Sequence, residues 1–458
     1  MSTPQDRCDS DMGRVTIDVL PDDVLLIVFA SYVDVTRCCW QWTIRWPTLA
    51  HVCRKWRDNV FRWSCHLNLQ LIVHPRTTDI RKTLDVWPPF LPIFINDSLD
   101  SRSEDNLMAI LEHNDRICGI KLSCQSSSPW KKVVTAMEMP FPKLTDVDLL
   151  FQYESDIPDS FLAGNAPRLR KLALTGASFL GLPKLSLFAP DLVELTLHDV
   201  PHSGYISPEA MLSYLSALTR LKKIDLALLG FKYSHPQRPN GECRRPLPST
   251  RTALPALTNF LFARVGEYLE DLVAWIDAPL LGFLKIKFLG QFVSDSPQLP
   301  QFISRSPQLR AHDEAHVAFS FTGISVTFLG KFDQYLVMRN QCKSLESKLA
   351  FVAQVCGSSF PQALVTVKVD YIYGLDEGPC ALPLETKNSE WLELSRQFTA
   401  VKDLYLSREF VPRIAALLQD IIVGERVTEV FPALERLFVS GLDLSRPDQK
   451  AFERFIAA

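Results

Sequence analysis

From about residue 117 to residue 439, apolar residues return at one fixed spacing. Pro142-x-Leu144-x-x-Val147-x-Leu149 recurs as Pro167-x-Leu169-x-x-Leu172-x-Leu174 and as Pro190-x-Leu192-x-x-Leu195-x-Leu197. Further copies are Leu221-x-x-Ile224-x-Leu226, Pro255-x-Leu257-x-x-Phe260-x-Phe262 and Pro279-x-Leu281-x-x-Leu284-x-Ile286. A degraded copy stands at Pro307-x-Leu309, and later ones at Val401-x-x-Leu404-x-Leu406 and Pro432-x-Leu434-x-x-Leu437-x-Val439. An early version is Ile117-x-x-Ile120-x-Leu122. The last two apolar positions of each copy alternate with polar ones, so each copy predicts a short strand with one buried face. Upstream, Leu67 to Val73 and Leu91 to Ile95 read as two more strands, and Asp105 to His113 as a helix.

The Pro-to-Pro steps are 25, 23 and 24 residues for Pro142–Pro167, Pro167–Pro190 and Pro255–Pro279. That period, with L-x-x-L-x-L inside it, matches the leucine-rich repeat. One strand with its return segment cannot cover its own apolar edge, so copies must stack. Pro208 to Leu215 reads as one such return helix, with Leu212 and Leu215 on one side. The competing expectation is an ordinary α/β sheet with proline before each strand. The consensus Asn three places past the last leucine is missing: Gln152 and Ala177 stand there, which predicts uneven curvature. Three stretches read as insertions: 232–253, rich in Pro and Arg; 292–310, rich in Ser, Pro and Gln; and 374–389, acidic and turn-rich. Between 311 and 373 the repeat register is lost.

Ahead of the array, residues 20–61 read as amphipathic helices. Pro21 suits a first helical position, and Asp22 and Asp23 complement the positive end of the helix dipole. Leu20, Val24, Ile27 and Val28 share one face. After Pro47, residues Leu49, Val52, Cys53, Trp56 and Val60 share another. Helices this short need a surface to bury against, within the chain or on another.

Leu20-Pro21-x-Asp23-Val24-Leu25, followed by Val52-Cys53-Arg54-x-Trp56, resembles the F-box, a helical module that docks substrate receptors on the Skp-type adaptor of cullin–RING (SCF) ubiquitin ligases. Trp46-x-x-Leu49-x-x-Val52-Cys53-Arg54-x-Trp56-Arg57, with Leu84-Asp85-Val86-Trp87-Pro88, is similar to fungal F-box-like proteins. Leu20 to Trp56 is 36 steps, about ten more than the family pattern, with the excess at Thr36 to Arg45 around Cys38-Cys39-Trp40-Gln41-Trp42. The resemblance implies an adaptor-binding set of Leu20, Pro21, Val24, Leu25, Val28, Leu49, Val52 and Trp56, with Trp56 the best internal anchor and the rest to be divided between docking and packing.

The expected organisation is a disordered lead at 1–15, an all-helical F-box-like module at 16–64, and an irregular leucine-rich-repeat solenoid with a mainly parallel curved sheet at 65–458. This makes the chain α/β in class. A length of 458 residues suits such an array. Net charge is −3, which gives no support to a general nucleic-acid binder. No apolar run reaches the length that spans a bilayer; the most apolar window, Leu280 to Val293, is broken by Lys285 and Lys287. The polar Met1 to Gly13 has no signal-peptide core. Eleven cysteines without a C-x-x-C pair read as free thiols of a reducing compartment, so an intracellular location, cytoplasmic or nuclear, is expected.

Catalytic patterns are absent from the sequence. His312-Asp313-Glu314-Ala315-His316 invites a metal reading, since i and i+4 share a face in helix or strand, but it lacks the Glu of zinc proteases and a third ligand. Gly323 to Lys331 has the wrong spacing for a phosphate loop. The expectation is a non-enzymatic, cofactor-free chain. The resemblance implies a substrate receptor joined to a Skp-type adaptor, and through it to cullin, that holds an unknown protein on strand residues such as Asp146, Asp148, Lys171, Glu194, Lys223 and Asp225. The alternative is a repeat scaffold whose N-terminal helices only cap the array.

Overall fold

A computed structural model describes residues 20–37, 46–76, 80–100, 103–125, 127–179, 181–184, 189–228, 251–264, 266–289, 298–309, 312–330, 334–356, 364–372, 388–407, 409–410, 414 and 430–440. The lead at 1–15 and residues 38–45 of the insert lie outside them; Thr36 and Arg37 continue the first helix.

That helix, α1 (Asp22–Arg37), is followed by α2 (Trp46–Val52) and α3 (Arg54–Arg62). Every fourth residue of α1 turns inward: Leu25, Phe29 and Val33 are buried with Trp46, Leu49, Trp56 and Val60. The same cluster takes in Leu67, Leu69 and Leu91 from the start of the array. The first strand is therefore shorter than the alternation at 67–73 suggests. It is β1 (Leu71–Val73), and Leu67 and Leu69 belong to the helical core.

Fifteen strands make one sheet. In chain order they begin with β1, β2 (Ile93–Leu99), β3 (Ile117–Cys124), β4 (Asp146–Asp156), β5 (Lys171–Ser178), β6 (Glu194–Val200) and β7 (Lys223–Leu228). β9 (Asn259–Arg264) and β11 (Phe283–Leu289) follow; β8 (Thr252–Ala253) and β10 (Ile276–Asp277) pair apart as a two-stranded sheet. The expected leucines form continuous ladders. Val147, Leu172, Leu195, Ile224, Phe260 and Leu284 are register partners from strand to strand, and so are Leu149, Leu174, Leu197, Leu226, Phe262 and Ile286. Leu144, Leu169, Leu192 and Leu221 line the same core. Each buried leucine contributes about 1.5–3 kcal/mol relative to exposure.

A second ladder holds the turns before the strands. The Thr145 carbonyl accepts from the N–H groups of both Arg170 and Lys171 (2.8 and 3.0 Å). Arg170 does the same for Val193 and Glu194, Val193 for Lys222 and Lys223, Lys222 for Thr258 and Asn259, and Thr258 for Gly282 and Phe283. Backbone thus satisfies backbone from copy to copy. The bracket returns at Val365 with Lys402 and Asp403, and at Lys402 with Glu435 and Arg436, so the last copies obey the same scheme.

Return segments carry helices that sequence periodicity largely missed. After α4 (Ile80–Val86), α5 (Glu104–Leu111) and α6 (Ser127–Ala136) come α7 (Pro208–Ser216), α8 (Gly266–Ala274) and α9 (Gln298–Arg305). Ser207 caps α7 by accepting from the Ala210 N–H (3.2 Å). Of the stretch 292–310, residues 292–297 and 310 lie outside the described residues, and the expectation of an insertion is corrected over 298–309. Its helix α9 buries Leu299, Phe302 and Ile303 as an ordinary return segment, and Leu309 is buried as the repeat requires. Of 232–253, Thr252 and Ala253 form β8; of 374–389, Asn388 and Ser389 open α11 (Asn388–Arg396). The other residues of those two stretches lie outside the described residues, apart from Arg251.

The lost register between 311 and 373 is a detour in topology. The strands there are β12 (His312–Ser320), β13 (Gly323–Gly330) and β14 (Tyr335–Gln341). After helix α10 (Leu345–Cys356) come β15 (Thr366–Tyr371), β16 (Asp403–Leu406) and β17 (Arg436–Val439). The spatial order is β11-β14-β13-β12-β15. β13 is antiparallel to both neighbours; every other pairing among the described residues is parallel. The protein is thus mixed α/β with a large, mostly parallel sheet that resembles a leucine-rich-repeat solenoid.

Candidate interaction surfaces

The helical module sorts its expected docking residues by burial. Leu25, Leu49 and Trp56 are inside it, which corrects their place in a docking set: they are core, not surface. The Trp56 ring meets Phe29 edge-on at 4.9 Å. Val24, Val28 and Val52 are outside, 38%, 45% and 54% exposed, and Ile27 is 67% exposed. Pro21 is exposed, and Leu20 is half-buried against the module's core. Helix α1 therefore has two apolar faces, and only one is covered.

Polar contacts fix the start of α1. Asn59 Nδ2 donates to Asp22 Oδ1 at 3.0 Å, and Lys55 Nζ donates to the Leu20 carbonyl at 2.9 Å. Cys53 caps α3, its sulfur accepting from the Trp56 N–H at 3.4 Å. Arg57 is exposed, yet its Nε donates to the Ala50 carbonyl at 2.9 Å and so ties α3 to α2. The module also covers the first edge of the array: Trp46 Nε1 donates to the Gln70 carbonyl (2.9 Å) and its ring lies 5.1 Å from Trp87.

The second surface is the open face of the sheet, formed by side chains between the inward leucines. Asp146, Lys171, Glu194, Lys223 and Asn259 are register partners in one row, and Phe283 and Tyr335 continue it. Lys121, Asp148, Ala173, Thr196, Asp225, Leu261, Lys285 and Val337 form the next row. All six expected binding residues are on this face. Many of its polar side chains pair: Lys121 with Asp148 (3.1 Å) and Lys171 with Glu194 (3.2 Å) as ion pairs, and the His198 Nε2 lies 2.7 Å from an Asp225 carboxylate oxygen. Asp146 accepts from the Thr145 hydroxyl at 2.6 Å.

Beyond the detour the pattern repeats. Glu314 pairs with Lys368 (2.5 Å), His316 with Asp370 (2.7 Å) and Asp403 with Arg436 (2.5 Å). Lys368 Nζ also lies over the Tyr405 ring, which stacks on Phe438 at 4.3 Å. In between, Lys285 and Lys287 of β11 stand beside Arg339 of β14, and Lys287 and Arg339 are direct register partners. Partial burial, the neighbouring Arg339 and Lys287 hold the Lys285 ammonium below its ordinary value, against a smaller pull from Asp225. Sequence reasoning noted the two lysines only as interruptions of an apolar window. Their alternation with Leu284, Ile286 and Phe288 was the available signal, but Arg339 reaches them through the detour.

The two histidines do not share a site. A register shift between His312 and Glu314 turns His312 inward, where it is buried near Phe328, while His316 stays on the open face with Asp370. Burial pushes the His312 imidazole below its usual value. Among the described residues no group of three or more His, Cys, Asp and Glu side chains could hold a metal ion. No described helix is long and apolar enough to cross a membrane.

Comparison with known proteins adds little. No family model matches the chain, and no curated protein matches it. Among solved structures, one described as the crystal structure of a TLR13–ssRNA13 complex is similar over 75% of this chain at 12% identity. The chain spans 40% of that protein's length, and the TM-score is 0.29.

Proposed function

We propose that the chain is a substrate-recognition subunit of an SCF-type cullin–RING ubiquitin ligase. On this reading the N-terminal helices dock a Skp-type adaptor, and the sheet's open face holds a protein to be modified. The observation that supports it most is the uncovered apolar face of α1, at Val24, Ile27 and Val28, beside a face already buried. A helix that served only its own module would need one apolar stripe. The reading assigns the chemistry to other subunits, so the chain itself is non-catalytic and needs no cofactor. Its location would be intracellular.

A second reading keeps the scaffold and gives the helices only the task of capping. Leu67, Leu69 and Leu91 in the helical core favour it, because they show the module covering the array's first edge. One substitution separates the two. Val24→Asp places a charge on the exposed face, harmless in water and costly in a dry interface. The expected outcome is loss of capture by purified adaptor in a pull-down, with the melting transition unchanged. Retained capture sinks the docking assignment, and lost capture with a collapsed transition favours capping.

A further inference from the structure

We propose that the groove between α10 and α11 receives a helix of a partner protein, apolar along one face and basic in its last turn. The groove lies on the helical side of the array, so the inference is independent of adaptor docking and of the open face.

Spacing builds the groove. Glu346, Leu349, Ala350, Ala353 and Gln354 of α10 fall at i, i+3, i+4, i+7 and i+8, one stripe of a helix. Glu390, Glu393, Leu394 and Gln397, on and just past α11, follow the same spacing. Other faces of the two helices hold them to the sheet: Phe351 meets Phe288 at 6.2 Å, and Trp391 meets Phe319 at 6.0 Å. Between the stripes runs a channel of about 700 Å³. Leu349 and Leu394 are its buried floor, while Ala350 is exposed and Ala353 half-buried. Their small side chains leave room for the ridge of a third helix.

Charge says which helix fits. Elsewhere successive connecting segments bring opposite signs together: Lys132 meets Glu104, Arg220 meets Asp191 and Arg305 meets Asp277. Across this seam both sides bring acid, and Glu346, Glu390 and Glu393 have no cation beside them among the described residues. Glu346 and Glu390 stand in first turns, where the helix dipole favours acid; Glu393 lies further in. The carrying observation is Glu390. Its Oε2 is shut off from solvent and has no donor, the one buried carboxylate oxygen among the described residues with neither hydrogen bond nor ion pair. Leaving such an oxygen unmet is costly, and a cation seated in the groove would meet it. Among the described residues no group of acids could hold a metal ion, which points to cations carried on side chains.

Orientation follows from the same residues. β14 and β15 run the same way, as do β15 and β16, so the return helices α10 and α11 also run together. Their N-terminal ends bring the glutamates, and Gln354 and Gln397 line the other end. A helix seated antiparallel places its last turn at the glutamates, where its own dipole also favours Lys and Arg. Its apolar stripe then lies on Leu349, Ala350, Ala353 and Leu394.

The test is fluorescence anisotropy with the full chain and three labelled peptides, each about five turns long. The first has a Leu/Ala stripe at helical spacing and three Arg in its last turn. The second replaces those Arg by Glu, and the third scrambles the stripe but keeps the Arg. The first should bind at least tenfold more tightly than either other. Glu390→Gln should weaken it by roughly tenfold, and the more exposed Glu393→Gln by about threefold. Ala353→Phe, which fills the channel, should weaken it by roughly tenfold or more, whereas Glu267→Gln on α8 should change nothing. Without peptide, Glu390→Gln should hold or raise Tm, because it removes a charge that has no partner. Adaptor capture by Glu393→Gln should match the parent chain, which separates this groove from the docking face. Equal binding of the three peptides, binding of none, or unchanged affinity in Glu390→Gln and Glu393→Gln would overturn the proposal. So would a fall in Tm for free Glu390→Gln, which would show the carboxylate already engaged within the fold.

Discussion

Gly176 shows how one residue can carry a local irregularity. β4 and β5 pair in register through Leu150 and Thr175, then resume at Ser155 and Ala177, so β4 makes an excursion opposite this single glycine. Phe151 turns inward at the excursion's base and packs on Trp130 at 4.6 Å, while Tyr153 is exposed near its tip. Gly176 has φ of +74°, and a Cβ there would lie 2.4 Å from the Phe151 carbonyl oxygen. Gly176→Ala should therefore destabilise the array by about 1–3 kcal/mol, or more if the excursion cannot shift, read as a fall in Tm. Other residues on this scale are quieter. Burial pushes the Cys118, Cys124 and Cys356 thiols up to about 12, so at neutral pH they stay protonated and behave as small apolar side chains. That role was legible for Cys118 from its apolar surroundings. Cys53, which shares a helical face with Leu49 and Trp56 in the sequence, is half-exposed and caps a helix.

At the scale of elements, α1 divides its work between two faces, and mutations should divide with it. Phe29→Ala empties a fully buried ring site and should cost about 3–5 kcal/mol within the helical module, seen as a loss of that module's protection in hydrogen exchange. Ile27→Ala, on the exposed face, should stay within about 0.5 kcal/mol. The sequence grouped Val24, Ile27 and Val28 on one face but could not say which face is buried, because Val24 to Phe29 is an unbroken apolar run. Strands were easier. L-x-x-L-x-L states period and register together, which is why Leu144, Leu169, Leu192 and Leu221 fall on one core. The helices α8 to α11 were missed because each is short and much of its stability comes from packing on the sheet. Likewise, alternation placed Asp148, Glu194 and Asp225 on the open face, but cross-strand register decided that Lys121, Lys171 and His198 are their partners.

For the whole molecule, the backbone brackets and leucine ladders make most copies interchangeable in energetic terms, each resting on its neighbours alone. The region β12 to β14 breaks that rule. The chain leaves β11, places β12 three positions away, returns through β13 and β14 to fill the gap, and then crosses by α10 to β15. No local pattern announces this, since β11 finds its partner β14 only after two other strands have been made. The result is a splice in an otherwise uniform rope. Pulled from its C-terminus in an optical trap, the array should first shed β17, β16 and β15 copy by copy. A regular copy of about 24 residues should release roughly 80 Å of chain. The splice cannot peel that way: past β15 the pull reaches β14 first, and β14 is paired on both sides, with β11 and with β13. It should give way at higher force in one step, roughly three times as long, from β11 to β15, before the small steps resume. Mechanical load entering from the C-terminal end would thus be stopped short of β3 to β11, leaving that half of the open face in shape while the end of the array unravels.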